Sequence, residues 1–152
     1  MLSYQHGYHA GNRADVLKHA VLHALLGHIA AVGKPILYVE THSGRGRYDL
    51  TGEQARKGGE AETGILALHR GKPPRALKPW VSHVEDCGMK NYPGSPDLAL
   101  QLLPPTARMV FFEKHPAEYA ALAAAVGNDP RVQVKHSDGY SGALKLSPRG
   151  GE

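Results

Sequence analysis

A strand-like run, Ile36-Leu37-Tyr38-Val39-Glu40, passes without a break into Thr41-His42-Ser43-Gly44-Arg45-Gly46-Arg47-Tyr48. An apolar run closed by an acid and followed by a glycine-spaced turn is how a parallel α/β sheet opens a ligand site. Glycine has no Cβ, so its backbone can pass close to a ligand and can take positive φ. A site of this kind needs its remaining groups at the ends of later strands. Two later runs fit. Met109-Val110-Phe111-Phe112-Glu113 again ends in an acid, and Val132-Gln133-Val134-Lys135-His136 leads to Ser137-Asp138-Gly139-Tyr140.

Helical patterns separate these strands. Residues 12–32 read as a helix capped by Asn12, with Asp15 in its first turn and Gly33 and Pro35 at its end. Leu17, Val21, Ala24, Leu25, Ile29 and Val32 recur at helical spacing and predict the face turned to the core. At Tyr92-Pro93-Gly94-Ser95-Pro96 a turn leads into a second helix, with Ser95 as its expected N-cap and Pro96 at its first position. His115-Pro116 opens a third helix that stops at Gly127-Asn128. A short helix follows Asp138, and residues 147–152 read as loop. Residues 49–97 change character: they are rich in Gly and Pro, hold helical patches near 60–70 and 79–90, and carry Trp80. They are expected to form a small helical subdomain inserted in the main domain. The order of β and α elements predicts a Rossmann-like α/β fold with a parallel sheet, three strands wide in this sequence.

Composition narrows the function classes. The chain has 152 residues, enough for one domain with a real core. No run looks long and apolar enough to span a membrane, and the polar start resembles no signal peptide. One cysteine excludes an internal disulfide framework and suits a cytoplasmic protein. The net charge of +4 suits a polyanionic partner such as RNA. Ten histidines raise the question of a metal. His19 and His23 lie four apart, but no His-Glu-x-x-His pattern accompanies them and Cys87 has no neighbour at ligand spacing, so no metal is expected.

The strand ends define the chemistry. An acid after the second strand can accept both hydroxyls of a ribose, since a carboxylate has two acceptor oxygens. An Asp after the third can accept from an adenine amino group. This suits S-adenosylmethionine better than a dinucleotide. Gly44-x-Gly46 lacks the third glycine of the pyrophosphate turn, and Asp49 in its place would repel phosphate. His42, His19 or backbone groups would hold the methionine part.

The opening Met1-Leu2-Ser3-Tyr4-x-His6-x-x-His9-Ala10-Gly11-Asn12-x-Ala14-Asp15-Val16-Leu17-Lys18-His19 resembles the start of the RlmJ family. So do Thr41-His42-x-Gly44-x-Gly46-Arg47-Tyr48, Tyr92-Pro93-Gly94-Ser95-Pro96, Glu113-x-His115-Pro116 and Asp138-Gly139 in later positions. That family comprises bacterial 23S rRNA (adenine-N6)-methyltransferases, once assigned to the use of external DNA as a nutrient. The resemblance implies a class I methyltransferase fold and an S-adenosylmethionine site made by His19, His42, Ser95, Glu113, Asp138 and Gly139. It places Tyr4 near the target base as a supporting residue, makes the insertion an RNA-contacting element, and offers Lys18 and Arg47 as contacts to substrate RNA. It implies 23S rRNA as partner, no membrane and no metal, and a monomer at full length.

The family's catalytic motif, Asp-Pro-Pro-Tyr at the end of a fourth strand, does not occur in these 152 residues. The chain is therefore expected to carry the donor-binding part of the fold, to be inactive alone, and to be marginally stable. The alternative is a non-catalytic RNA- or DNA-binding module, to which a role in the use of external DNA would belong.

Overall fold

The computed structural model describes residues 5–146. Along the chain the helices and strands are α1 (Arg13–Val32), β1 (Leu37–Glu40), β2 (Arg47–Tyr48), α2 (Glu53–Gly58), α3 (Ile65–Arg70), α4 (Lys78–Cys87), β3 (Tyr92–Pro93), α5 (Ser95–Leu102), β4 (Arg108–Glu113), α6 (Pro116–Val126), β5 (Val132–His136) and α7 (Gly139–Ala143). Short 3-10 turns join several of them. The expectations for Tyr4 and for a loop at 147–152 lie outside the described residues.

The chain divides into two compact units. One takes Met1–Ala24 and Arg47–Pro93, the other Leu25–Gly46 and Gly94–Glu152. The second unit holds a three-stranded parallel sheet in the order β1-β4-β5. Strand β4 is central, and four consecutive residues on it, Met109 to Phe112, are buried. A strand covered on both faces loses the apolar-polar alternation of a half-exposed one, which is why its sequence reads as a continuous apolar run. With Leu98, Ala99, Leu103 and Leu122, these residues make the core of this unit. The parallel sheet with its covering helices is the expected Rossmann-like α/β architecture.

Arg131 ties one helix of this unit to the sheet. Its guanidinium donates to the carbonyls of Leu100 (2.9 Å) and Leu103 (2.8 Å), the bare acceptors at the end of α5, while Asp129 holds its other edge. A planar cation with several donors suits such a helix terminus.

The first unit is built on its N-terminal segment. Asp15, fully buried, accepts from His6 Nε2 (2.7 Å) and from the Gly11 N–H (3.0 Å), and Lys18 Nζ lies 3.0 Å away. Burial alone would raise the pKa of Asp15. The hydrogen bond from His6 and the positive partners around it overcome that and hold it well below the usual carboxylate range. Asn12 caps α1 by accepting from the Asp15 N–H, and its amide donates to Glu60, which also bonds His9. Gly64 packs so tightly on this segment that a Cβ there would lie 2.0 Å from the Gly11 carbonyl oxygen. Ile65, Trp80, Val81, Val84 and Tyr92 fill the core beneath. The antiparallel pair β2–β3 joins residues 47–48 to residues 92–93 within this unit.

Helix α1 differs from expectation in its orientation. Leu17, Val21, Leu25 and Val32 are between 50% and 66% exposed, and Ala24 is exposed too. The buried side is Asp15, Val16, His19 and Leu26. The helix is apolar nearly all round, so periodicity has two faces to choose from. The face carrying Asp15 and His19 turns inward: Asp15 has hydrogen-bond partners there, and the His19 ring packs against Trp80 and Tyr92. The same composition makes α1 long and apolar enough to cross a membrane by length and content alone. The buried polar groups on it are held by contacts within the protein.

Candidate functional site

The glycine turn after β1 is fixed from β4. Ser43 N–H donates to the Phe112 carbonyl (3.0 Å), and Gly44 N–H donates to Glu113 Oε2 (2.8 Å). Gly44 and Gly46 both have positive φ, +65° and +82°, where a side chain would be strained. The other oxygen of Glu113 accepts from the His115 N–H (2.7 Å), at the start of α6. Each carboxylate oxygen has a second lone pair, so Glu113 keeps capacity for two further donors. Arg45 does not face this turn's ligand side as a free cation. It forms an ion pair with the buried Glu118 on α6.

One more strand end, that of β5, belongs to the same unit. Asp138 caps α7: its Oδ1 accepts from the Ser141 N–H (3.0 Å) and from the Ser141 hydroxyl (3.1 Å). The backbone hydrogen bond from Ser141 is the main cause that lowers its pKa. Both bonds fall on one oxygen, and Oδ2 stays open. Gly139 is buried where a Cβ would lie 1.9 Å from the Thr41 carbonyl oxygen, so only glycine lets α7 start against the end of β1. Beside it, the exposed ring of Tyr140 meets His42 edge to face at 4.9 Å, while His42 Nδ1 pairs with Thr41 Oγ1 (2.9 Å).

Ser95 is not the N-cap of α5. Gly94 occupies that position, and Ser95 is the first helical residue. Its hydroxyl is directed instead to Glu40 Oε2 (2.9 Å), while Tyr38 Oη donates to Glu40 Oε1 (2.5 Å). Burial pushes the Glu40 carboxyl up to about 7, and the two hydroxyl hydrogen bonds only partly offset it.

Of the residues expected at the donor site, the sheet unit thus holds His42, Glu113, Asp138 and Gly139 at its strand ends, with Glu40 among them, and Ser95 at the start of α5. His19 belongs to the other unit. It is buried against Trp80 (5.8 Å) and Tyr92 (6.1 Å), and its Nδ1 has no hydrogen-bond partner among the described residues. Burial lowers its pKa to about 4, with Lys18 and His6 adding to the effect and Asp15 opposing it, so the imidazole is neutral at pH 7. Lys18 pairs with Asp15, which engages the ammonium offered for RNA. Arg47 is exposed on β2. Tyr38 and Tyr140 escaped sequence reasoning. Tyr38 reads only as an apolar strand residue, and Tyr140 as the residue after a Gly; their positions relative to Glu40 and His42 depend on the fold. Among the described residues no group of three or more His, Cys, Asp or Glu side chains is placed to hold a metal ion.

Residues 33–152 match the family model described as ribosomal RNA large subunit methyltransferase D, RlmJ. Two curated relatives named ribosomal RNA large subunit methyltransferase J are similar. The one from Escherichia coli K12 is 38% identical over 145 residues, and the one from Haemophilus influenzae is 37% identical over 146. Each match covers 92% of this chain and 52% of the relative. The chain therefore spans about half the length of the curated relatives it matches. The crystal structure of protein LPL1258 from Legionella pneumophila superposes with a TM-score of 0.78 at 36% identity, covering 91% of this chain and 54% of that one. The family model takes in the glycine turn, Ser95, Glu113 and Asp138-Gly139 together, and on that match the chain belongs to the RlmJ family of ribosomal RNA large subunit methyltransferases.

Proposed function

We propose that this chain carries the S-adenosylmethionine-binding part of a methyltransferase that acts on N6 of an adenine in 23S rRNA, in the cytoplasm. The observation that carries this reading is the coupling of strand ends: the Glu113 carboxylate holds the Gly44 N–H of the turn after β1. A carboxylate locked there by two backbone donors is pre-oriented, with lone pairs left for the two ribose hydroxyls of an adenosyl group. Asp138 Oδ2 suits the adenine amino group, and the exposed Tyr140 ring offers a face for stacking. Ser95 and His42 would hold the methionine part. When bound, the donor supplies an electrophilic methyl group on a sulfonium. The Asp-Pro-Pro-Tyr motif that would orient the target amine in this family is not among these residues, so the chain binds the donor without transferring its methyl group.

Calorimetric titration with S-adenosylmethionine tests this. Saturable binding that Glu113→Gln and Asp138→Ala both weaken at least tenfold is the expected result. Absence of binding by a chain with intact far-ultraviolet circular dichroism sinks the proposal.

The rRNA part of the reading draws on the other unit. Residues 64–84 contain no Asp or Glu. Lys72 and Arg75 are exposed there on a proline-stiffened stretch before α4, Lys78 is exposed at the first position of α4, and Arg70 beside them pairs with Glu62. Cations that neutralise phosphates make binding fall steeply with salt. A Lys72→Gln/Arg75→Gln/Lys78→Gln variant is expected to bind an rRNA fragment more weakly and to flatten the dependence of log affinity on log salt by about 2–3. An unchanged slope would remove this stretch from the interface.

A further inference from the structure

Glu40 ends β1 with a carboxyl that, among the described residues, meets hydroxyl groups and no cation. Tyr38, on its own strand, donates to Oε1, and Ser95, at the start of α5, donates to Oε2. Its register partner on β4 is the apolar Phe111, whose ring packs edge to face on Tyr38 at 6.3 Å. The charged and titratable groups near this end of the sheet are each engaged elsewhere. Arg45 binds Glu118, His42 binds Thr41, Glu113 holds two backbone N–H groups, and Asp97 on α5 accepts from Gln101. An enclosed carboxyl without a positive partner retains its proton more readily than one in water.

The two protonation states impose opposite hydrogen-bond directions. An ionised carboxylate only accepts, so both hydroxyls donate to it, as they do here. A carboxylic acid has an O–H that must itself be donated. When that proton sits on Oε2, Ser95 Oγ has to accept it, and the serine's own hydrogen turns away from Glu40. The ionised state therefore leaves Ser95 presenting lone pairs to a neighbouring ligand, and the protonated state leaves it presenting a hydrogen.

We propose that Glu40 is a proton-linked positioning residue: ionised, it sets the Ser95 hydroxyl to accept from a ligand ammonium group, and protonated, it reverses that hydroxyl. The proposal rests on the donor-site reading, because S-adenosylmethionine carries such an ammonium. The proton that leaves Glu40 on binding goes to the buffer. Tyr38 supports the ionised form and Ser95 transmits it; Glu40 need not touch the ligand.

The test is calorimetric titration of the full chain with S-adenosylmethionine between pH 6 and 7.5, below the titration of the ligand's own α-amine. It is run in two buffers of different ionisation enthalpy, which reports protons released. A group titrating near 7 makes affinity rise about eightfold across that range, with net proton release near pH 7. Glu40→Gln and Ser95→Ala are both expected to bind more weakly and to lose the pH slope and the proton release, the second while Glu40 itself still titrates. Donor binding with the same slope and release in Glu40→Gln would overturn the proposal and leave the donor site standing. No donor binding by the folded wild-type chain would overturn both.

Discussion

Two buried titratable residues give this chain opposing responses to pH. His19 has its pKa held at about 4 against an ordinary 6.5, so between those values the unfolded state binds more protons and stability rises with pH. That contribution is present above pH 6.5 and is lost as pH falls towards 4, with a magnitude of about 3 kcal/mol. Glu40 has its pKa raised to about 7 from 4.5, so the folded state binds more protons between those values. Its proton stabilises the fold at low pH, and that stabilisation is lost as pH rises through 7, again by about 3 kcal/mol. The two residues lie in different units, and single substitutions separate their contributions. Trp80, the single tryptophan, packs on His19 and reports on its surroundings. Between pH 6.5 and 4.5 the two responses oppose each other, so we expect the urea midpoint of His19→Gln, read from Trp80 fluorescence, to rise relative to that of the wild type as pH falls. In Glu40→Gln the midpoint read from circular dichroism should exceed that of the wild type at pH 8 and match it at pH 5. A midpoint that moves equally in all three proteins would show that neither group governs the pH response.

At the scale of elements, close approach decides where glycine is needed, and Gly139 is the case that bears on the site. Adding a methyl group there would drive it into the Thr41 backbone, which cannot yield as a flexible side chain could. Gly139→Ala should cost about 2–3 kcal/mol and displace α7, lowering donor affinity as well. A neighbouring control, Ser141→Ala, removes a cap contact without a clash and should cost about 1 kcal/mol. Equal melting temperatures for Gly139→Ala and wild type would contradict the packing. The requirement for Gly139 was visible in the sequence as a motif, but its reason was not, because the clash is with residues almost a hundred positions away. The same division runs through the fold. Strands β1, β4 and β5, helices α1 and α6 and the glycine turn were legible, because they depend on local apolar runs, prolines and caps. The partner of Ser95, the engagement of Arg131 with the end of α5 and the ion pair of Arg45 with Glu118 were not, because each joins segments distant in sequence. The inward face of α1 was misread for a related reason: a helix apolar on two sides is oriented by its buried Asp15 and His19, and periodicity weights only apolar residues.

At the scale of the whole molecule, the exposed face of α1 becomes a property of the protein in solution. Leu17, Val21 and Leu25 follow each other at four-residue intervals and stand half to two-thirds exposed, with Val32 further along the same helix. Among the described residues, strand β1, at one edge of the parallel sheet, pairs with β4 alone. Exposed apolar stripes and open strand edges both favour association between molecules. Hydrophobic burial is worth about 25 cal/mol per Å², so covering such a stripe on both partners favours association, against the translational and rotational freedom lost when two chains join. We expect sedimentation velocity to show association that grows with protein concentration. Replacing Val21 and Leu25 by Lys should suppress it while changing the unfolding free energy by no more than about 0.5 kcal/mol per site, because neither side chain supports the core. The two measurements must be read together. Loss of association with stability retained identifies α1 as the contact. Loss of stability in the Lys variant would mean that this face is covered in solution, and a wild-type chain that stays monomeric and melts in one sharp transition would show that the stripe is tolerated without consequence.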